Sequence, residues 1–222
     1  MRLAIFDCDG TLVDSLAAID AGMRQAFARH GFPGPEADHV RRVIGLELKA
    51  MMKCLLPGAE PEIHENVAAS YREISDQERR DGSRKDPLYP GAADAVRQMD
   101  SRGWLLGVAT GKSLHGLRQT LHEHGLLDRF KTLHTPDTSP GKPNPDMLIR
   151  AMDATGTRRE EVVMIGDTTY DIEMAVNAGV AAVGVAWGYH PAGDLRDAGA
   201  GEVASSFAEL PDLLDRLIGA TA

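Results

Sequence analysis

The chain has 222 residues, 43% hydrophobic and 26% charged, with a formal net charge of −9. That is enough chain for one α/β domain, or for a core plus a smaller insert. The acidic balance argues against nucleic acid and anionic membrane surfaces as partners, since Lys and Arg carry affinity there. An anionic substrate would have to meet local positive charge, from a metal or a few basic residues. Cys8 and Cys54 are too few for a disulfide framework and lack metal-finger spacing, which suits a reducing, cytoplasmic setting. No window is apolar over a membrane-spanning length, and the apolar run before Asp7 is too short for a signal peptide.

Leu3 to Phe6 is a short apolar run that stops at an acid, and it predicts a buried strand. After Asp14 the period changes. Ile19, Met23, Ala26 and Phe27 recur at helical spacing up to Gly31; Leu48, Met51, Met52 and Leu55 predict a second helix, and Ile63, Val67, Tyr71 and Ile74 a third. No strand pattern falls between Ser15 and about Arg84. Residues 16–85 are therefore expected to form a separate helical domain, with residues 1–15 and 86–222 as the core. Beyond Pro87 helix and strand alternate. Helices are predicted over Ala92–Ser101, Leu114–His124, Pro145–Ala154 and Ile172–Ala178, and a last one through Leu210, Leu213, Leu214 and Leu217. Strands are predicted over Trp104–Ala109, Lys131–His134, Val162–Ile165 and Val180–Val185, with a weak one at Glu202-Val203. The alternation predicts a doubly wound, Rossmann-like parallel sheet covered on both faces.

Open parallel sheets bind ligands beyond the carboxyl ends of their strands. Leu3–Phe6 runs into Asp7 and Asp9. Trp104–Ala109 runs into Thr110-Gly111-Lys112. Val162–Ile165 runs into Gly166-Asp167, with Asp171 four residues on. Acids gathered at one edge repel unless a cation neutralises them or some stay protonated. Oxygen ligands with open positions suit Mg²⁺. Each feature has a plainer reading: Asp and Gly favour turns, Asp171 suits a helix start, and Arg41, Arg42 and Lys49 suit solvated surface. The eight histidines show no metal-ligand pattern, Cys8 reads as a small buried hydrophobe, and Met51-Met52 as packing.

Ala4-Ile5-Phe6-Asp7-Cys8-Asp9-Gly10-Thr11-Leu12-Val13-Asp14-Ser15 resembles the first motif of the haloacid dehalogenase-like superfamily. Thr110, Lys142 in Gly141-Lys142-Pro143-Asn144-Pro145, and Gly166-Asp167-Thr168-Thr169-Tyr170-Asp171 resemble the second, third and fourth, in the family's order. The resemblance implies Asp7 as nucleophile, Asp9 as acid and then base, and Lys142 as the neutralising cation. It implies phosphate held by Gly10, Thr110, Gly111 and Lys142. It also implies Mg²⁺ on Asp7, the Asp9 carbonyl and Asp167, with Asp171 in or beside the shell. Asp9 argues against a dehalogenase, because halide leaves without a proton and alkoxide does not.

The helical insert resembles the α-helical cap of one subgroup, with Arg41, Arg42, Ile44-Gly45 and Lys49 as candidate substrate contacts and Gly45 as a turn dipping into the site. Leu88-Tyr89-Pro90-Gly91, Lys142-Pro143-Asn144-Pro145 and Val185-Ala186-Trp187-Gly188-Tyr189 look most like phosphoglycolate phosphatases. The expectation is a Mg²⁺-dependent phosphatase acting on a small phosphorylated metabolite, as a monomer or homodimer. Alternatives within the superfamily are a sugar-phosphate mutase, a nucleotide phosphatase or a pyrophosphatase. Outside it stand a phospho-aspartate receiver domain and a silent binding protein.

Overall fold

A computed structural model describes residues 1–219. Its centre is a six-stranded, fully parallel sheet in the order β3-β2-β1-β4-β5-β6. The strands are β1 (Leu3–Phe6), β2 (Leu105–Ala109), β3 (Thr132–His134), β4 (Val162–Gly166), β5 (Ala181–Val185) and β6 (Glu202–Ala204). Helices α5 (Ala92–Ser101), α6 (Leu114–Glu123), α7 (Asp146–Thr155), α8 (Thr169–Ala178), α9 (Ala192–Asp197) and α10 (Leu210–Gly219) complete the α/β core.

Alternation along β1 divides the core in two. Ala4 and Phe6 join Val108, Ile165, Leu214 and Phe207 on one face, while Leu3 and Ile5 join Met164, Leu148 and Ile172 on the other. Both faces are covered, which is why the strands read as continuous apolar runs. The strand order reverses at β1, and ligands bind at such a switch point. Phe6 is in register with Val108 on one side and Ile165 on the other. Asp7, Ala109-Thr110 and Gly166-Asp167 therefore leave the sheet at one level.

Between β1 and α5 the chain is helical: α1 (Leu16–Arg29), α2 (Ala37–Val43), α3 (Leu48–Leu55) and α4 (Pro61–Arg80). These four enclose their own apolar cluster around Met23, Phe27, Met52 and Val67. Asp86 and Pro87 return the chain to the core, where the Asp14 N–H donates to the Pro87 carbonyl at 2.8 Å.

Three differences from the sequence reading have physical causes. Helices α2 and α9 were not expected: each is short and buries only Val40 and Val43, or only Leu195, too few positions to show a period. Helix α8 starts at Thr169 and not Ile172, because Thr168 and Asp171 form a capping box whose polar residues carry no apolar signal. Among the described residues no helix is long and apolar enough to cross a membrane.

Candidate active site

Asp7, Asp167 and Asp171 are all buried, and each offers a carboxylate oxygen within 4.8 Å of the others. Two of the three come from strand ends at the switch point; Asp171 comes from the first turn of α8. Asp167 is gripped on both oxygens, by the Thr11 hydroxyl at 2.7 Å and the Tyr189 N–H at 2.9 Å. Asp171 gives Oδ2 to the Thr168 N–H and hydroxyl at 3.0 and 2.7 Å. Its Oδ1 is left for Lys142 at 2.6 Å. Capping and facing the cluster are thus divided between its two oxygens. The Cys8 N–H and Lys142 Nζ meet Asp7 Oδ1 at 2.6 and 2.9 Å, and Asp7 Oδ2 accepts no hydrogen bond among the described residues.

Three buried carboxylates therefore lie close together, and the Lys142 ammonium pairs with two of them, Asp7 and Asp171. Burial pushes Asp7 from its ordinary 3.8 up to about 7, with Asp171 and Asp9 adding to the rise and Lys142 opposing it. Burial, Asp171 and Asp7 drive Asp167 well above the usual carboxylate range. Burial disfavours the Lys142 charge, but Asp171 and Asp7 outweigh it and hold the ammonium protonated. Excess buried negative charge and an unbonded carboxylate oxygen fit a hard divalent cation such as Mg²⁺. Space there is tight. A Cβ at Gly10, where φ is +85°, would collide with the Asp167 carboxylate, and one at Gly188 would collide with the Asp167 side chain. The Gly10 N–H donates to the Val13 carbonyl at 2.8 Å.

Asp9 turns away from this cluster. Its Oδ1 accepts from the Ser15 hydroxyl at 2.5 Å and meets Lys112 Nζ at 2.8 Å. Burial pushes Asp9 up, but Lys112, Ser15 and Arg84 outweigh it and leave the carboxyl below its ordinary value. Lys112 in turn is 3.7 Å from Asp86, whose buried carboxylate also takes Arg79 at 3.1 Å and Arg84 at 2.9 Å.

A cavity of about 360 Å³ lies over these groups, with Asp7, Asp9, Thr110 and Lys112 on the sheet side and Leu46 and Arg84 among the residues facing them. Lys142, Asp167 and Asp171 are not among its walls. Thr110 is buried at the end of β2, its hydroxyl accepting the Lys112 N–H at 3.3 Å. The turn between α2 and α3 closes over Gly111: a Cβ there would lie 2.6 Å from the Leu46 carbonyl oxygen. Gly45, at φ +105°, packs against Thr168 and Tyr170.

The candidate substrate contacts on the helices need correction. Arg41 does not face the cavity. Its guanidinium donates to the Tyr189 and Gly188 carbonyls at 3.0 and 3.2 Å, clamping α2 to the loop after β5. Arg42 contributes its carbonyl, which accepts the Tyr170 hydroxyl at 3.1 Å. Lys49 does line the cavity but is half exposed and paired with Glu65 at 2.5 Å. The cations that the sequence reading passed over are Lys112, Arg79 and Arg84. Lys112 could have been found, since it follows the strand-end pair Thr110-Gly111. Arg79 and Arg84 stand seven and two residues before Asp86, but nothing in that spacing shows that both guanidiniums meet its carboxylate.

The sequence matches the haloacid dehalogenase-like hydrolase family over residues 4–185. A probable phosphatase, IndB, of Dickeya dadantii is 32% identical over 211 residues, covering 94% of this chain and 91% of that one. A phosphoglycolate phosphatase of Vibrio vulnificus is 30% identical over 219 residues, covering 96% of each. Among solved structures, a haloacid dehalogenase-like hydrolase from Bacteroides fragilis superimposes with a TM-score of 0.88 at 26% identity, over 94% of this chain and 99% of that one.

Proposed function

Because the chain belongs to the haloacid dehalogenase-like hydrolase family, we propose that it is a phosphatase that hydrolyses a small phosphate monoester through an aspartyl-phosphate on Asp7, most simply 2-phosphoglycolate. One observation carries the mechanism: two carboxylates two residues apart line one cavity, each with one oxygen held, and Oδ2 of Asp7 has no hydrogen bond among the described residues. In the first step an Asp7 oxygen attacks phosphorus, and the alkoxide leaves with a proton from Asp9. In the second, water attacks phosphorus and gives its proton to Asp9, which releases phosphate and restores Asp7.

The low pKa of Asp9 belongs to the substrate-free site. A phosphate dianion beside it favours the protonated form that the first step needs. Lys142 neutralises Asp7 and the incoming phosphoryl group, while Thr110 and the Gly111 N–H orient its oxygens. Mg²⁺ held by Asp7, the Asp9 carbonyl, Asp167 and Asp171 would, when bound, neutralise charge on the transferring group.

We take residues 16–85 as a cap over the core of residues 1–15 and 86–222, excluding water from the site. Ligand pockets span about 300–1,000 Å³. A cavity of about 360 Å³ sits at the small end, which favours a small metabolite over a nucleotide. The phosphatase and phosphoglycolate phosphatase relatives support the same choice.

The test is kcat/KM with Mg²⁺ across 2-phosphoglycolate, sugar phosphates, nucleoside monophosphates and pyrophosphate, repeated with Asp7→Asn. Clear preference for 2-phosphoglycolate and loss of all turnover in Asp7→Asn are expected. Similar efficiency across the panel would reject the substrate, and surviving turnover in the variant would reject the mechanism.

A further inference from the structure

Tyr189 follows β5 and so belongs to the core chain, yet it is buried in the apolar cluster of α1–α4. Its polar groups are all engaged. The N–H donates to Asp167 Oδ2 at 2.9 Å, and the carbonyl accepts Arg41 Nε at 3.0 Å. The phenol oxygen accepts the Ser15 N–H at 3.1 Å and lies 3.3 Å from Ser15 Oγ.

Proton counting fixes the direction of the last contact. Ser15 has one hydroxyl proton, and it goes to Asp9 Oδ1 at 2.5 Å. The phenol must therefore donate to Ser15 Oγ. A phenol keeps its proton at neutral pH, so it has one to give. The chain of donors runs from the Tyr189 hydroxyl through Ser15 to Asp9. Ser15 is also the residue that immediately precedes α1.

We infer that Tyr189 is a positioning residue, which touches no reacting atom but sets the Asp9 carboxylate through Ser15 and ties that setting to the seating of α1–α4; the inference rests on the phosphatase reading above. Two anchors, Ser15 and Lys112, hold Asp9 Oδ1 and leave Oδ2 for proton transfer. If the helices lift, Arg41 releases the Tyr189 carbonyl and the start of α1 carries Ser15 with it. One of the two anchors on Asp9 is then lost. Cap seating and acid–base readiness become one event. Packing alone explains the aromatic ring, and Phe would serve for that. It does not explain a buried hydroxyl aimed at Ser15.

Leaving-group chemistry separates positioning from packing. An alkyl phosphate needs a proton from Asp9 as its alkoxide departs, whereas p-nitrophenolate departs as the anion. For both, kcat/KM reports the steps up to phosphorylation of Asp7. Tyr189→Phe keeps the ring and removes the hydroxyl. It is expected to lower kcat/KM by about tenfold for the alkyl phosphate that the panel ranks first, and by less than about twofold for p-nitrophenyl phosphate. Ser15→Ala should show the same contrast, and the double variant should be no worse than Ser15→Ala. Equal losses on both esters, no loss on either, or additive losses in the double variant would overturn the inference. A wild-type chain that hydrolyses neither ester with Mg²⁺ would instead overturn the phosphatase reading, and this inference with it.

Discussion

Lys112 Nζ lies 2.8 Å from Asp9 Oδ1, joining the loop after β2 to the loop after β1 with both side chains nearly buried. The pair gives Asp9 a partner other than the cluster around Asp7, and it fixes which of its oxygens is spent. Lys112→Met keeps the aliphatic stem and removes the charge. The expected result is a fall in kcat/KM of about 10²-fold on alkyl phosphates, the scale on which misplacing a catalytic group is felt. Steady-state kinetics on the purified variant checks it; an unchanged value would mean that Ser15 alone holds the acid.

The cluster around Asp7 predicts a link between proton and cation. Asp7 has a folded-state pKa of about 7 against an ordinary 3.8, and Asp167 is raised as well. A carboxyl raised on folding stabilises the protein at a pH below its unfolded value, and that contribution is lost as pH climbs through the folded value. For Asp7 the loss spans roughly pH 4 to 7. Lys142, raised from an already high value, stays charged throughout and adds no slope there. Mg²⁺ competes with protons for these oxygens, so its stabilisation should grow over the same window. At a hundred times its dissociation constant, mass action supplies about 2.7 kcal/mol. That is about 5–10 °C in Tm for a chain of this size. The expected gain at pH 8 is of that size, against about 1 °C at pH 5. Equal gains in the two thermal scans would refute a cation site on these carboxylates.

Asp86 predicts an effect on stability. Its carboxylate is buried, takes Arg79 and Arg84 from the end of α4 and just beyond, and approaches Lys112. Removing one partner of a buried ion cluster typically costs about 3–5 kcal/mol. Asp86→Ala should therefore lower Tm by at least about 6 °C. Asp94→Ala, which removes an exposed partner of Arg97, should leave Tm unchanged within error. Comparable shifts in the two variants would show that the buried cluster is no anchor between helices and core.

Much of this architecture is legible in the sequence, and the reason is geometric. The strands β1, β4 and β5 are buried on both faces, so they appear as apolar runs, and their ends announce Asp7, Asp9 and Asp167 directly. Gly179 closes α8, giving that helix a visible stop. Asp171 was readable as a cap, a ligand or both, because an acid in a first turn suits either. What stays hidden depends on direction and tertiary approach. The sequence shows that Arg41 is charged but not that it points at two carbonyls on the far loop. Tyr189 follows a strand of the core, and nothing local says that its ring is buried with Met23 and Phe27. Arg79, Arg84 and Asp86 lie in one stretch of chain, but Lys112 comes from the loop after β2 and meets them only because α4 ends where the chain re-enters the core.

Gly111 offers a variant that blocks the helices from closing without disturbing either part. Its backbone is ordinary, with no left-handed angle, so Ala is tolerated as far as the loop itself is concerned. The obstruction comes from outside: the added Cβ would lie 2.6 Å from the Leu46 carbonyl oxygen and 2.9 Å from that of Gly45. Backbone oxygens in the α2–α3 turn cannot swing aside as a flexible side chain would, so the turn must lift as a unit. Lifting it admits water and moves the Arg41 clamp and the cavity wall formed by Leu46. Gly111→Ala is therefore expected to lower kcat/KM by about 10–100-fold, the cost of mispositioning in an incompletely closed site. Tm should move by about 2 °C or less, because no core side chain is disturbed. Kinetics and a thermal scan on the same preparation check both halves. Full activity would show that the turn yields easily, and a large fall in Tm would show that the clash is absorbed by the sheet and not by the helices.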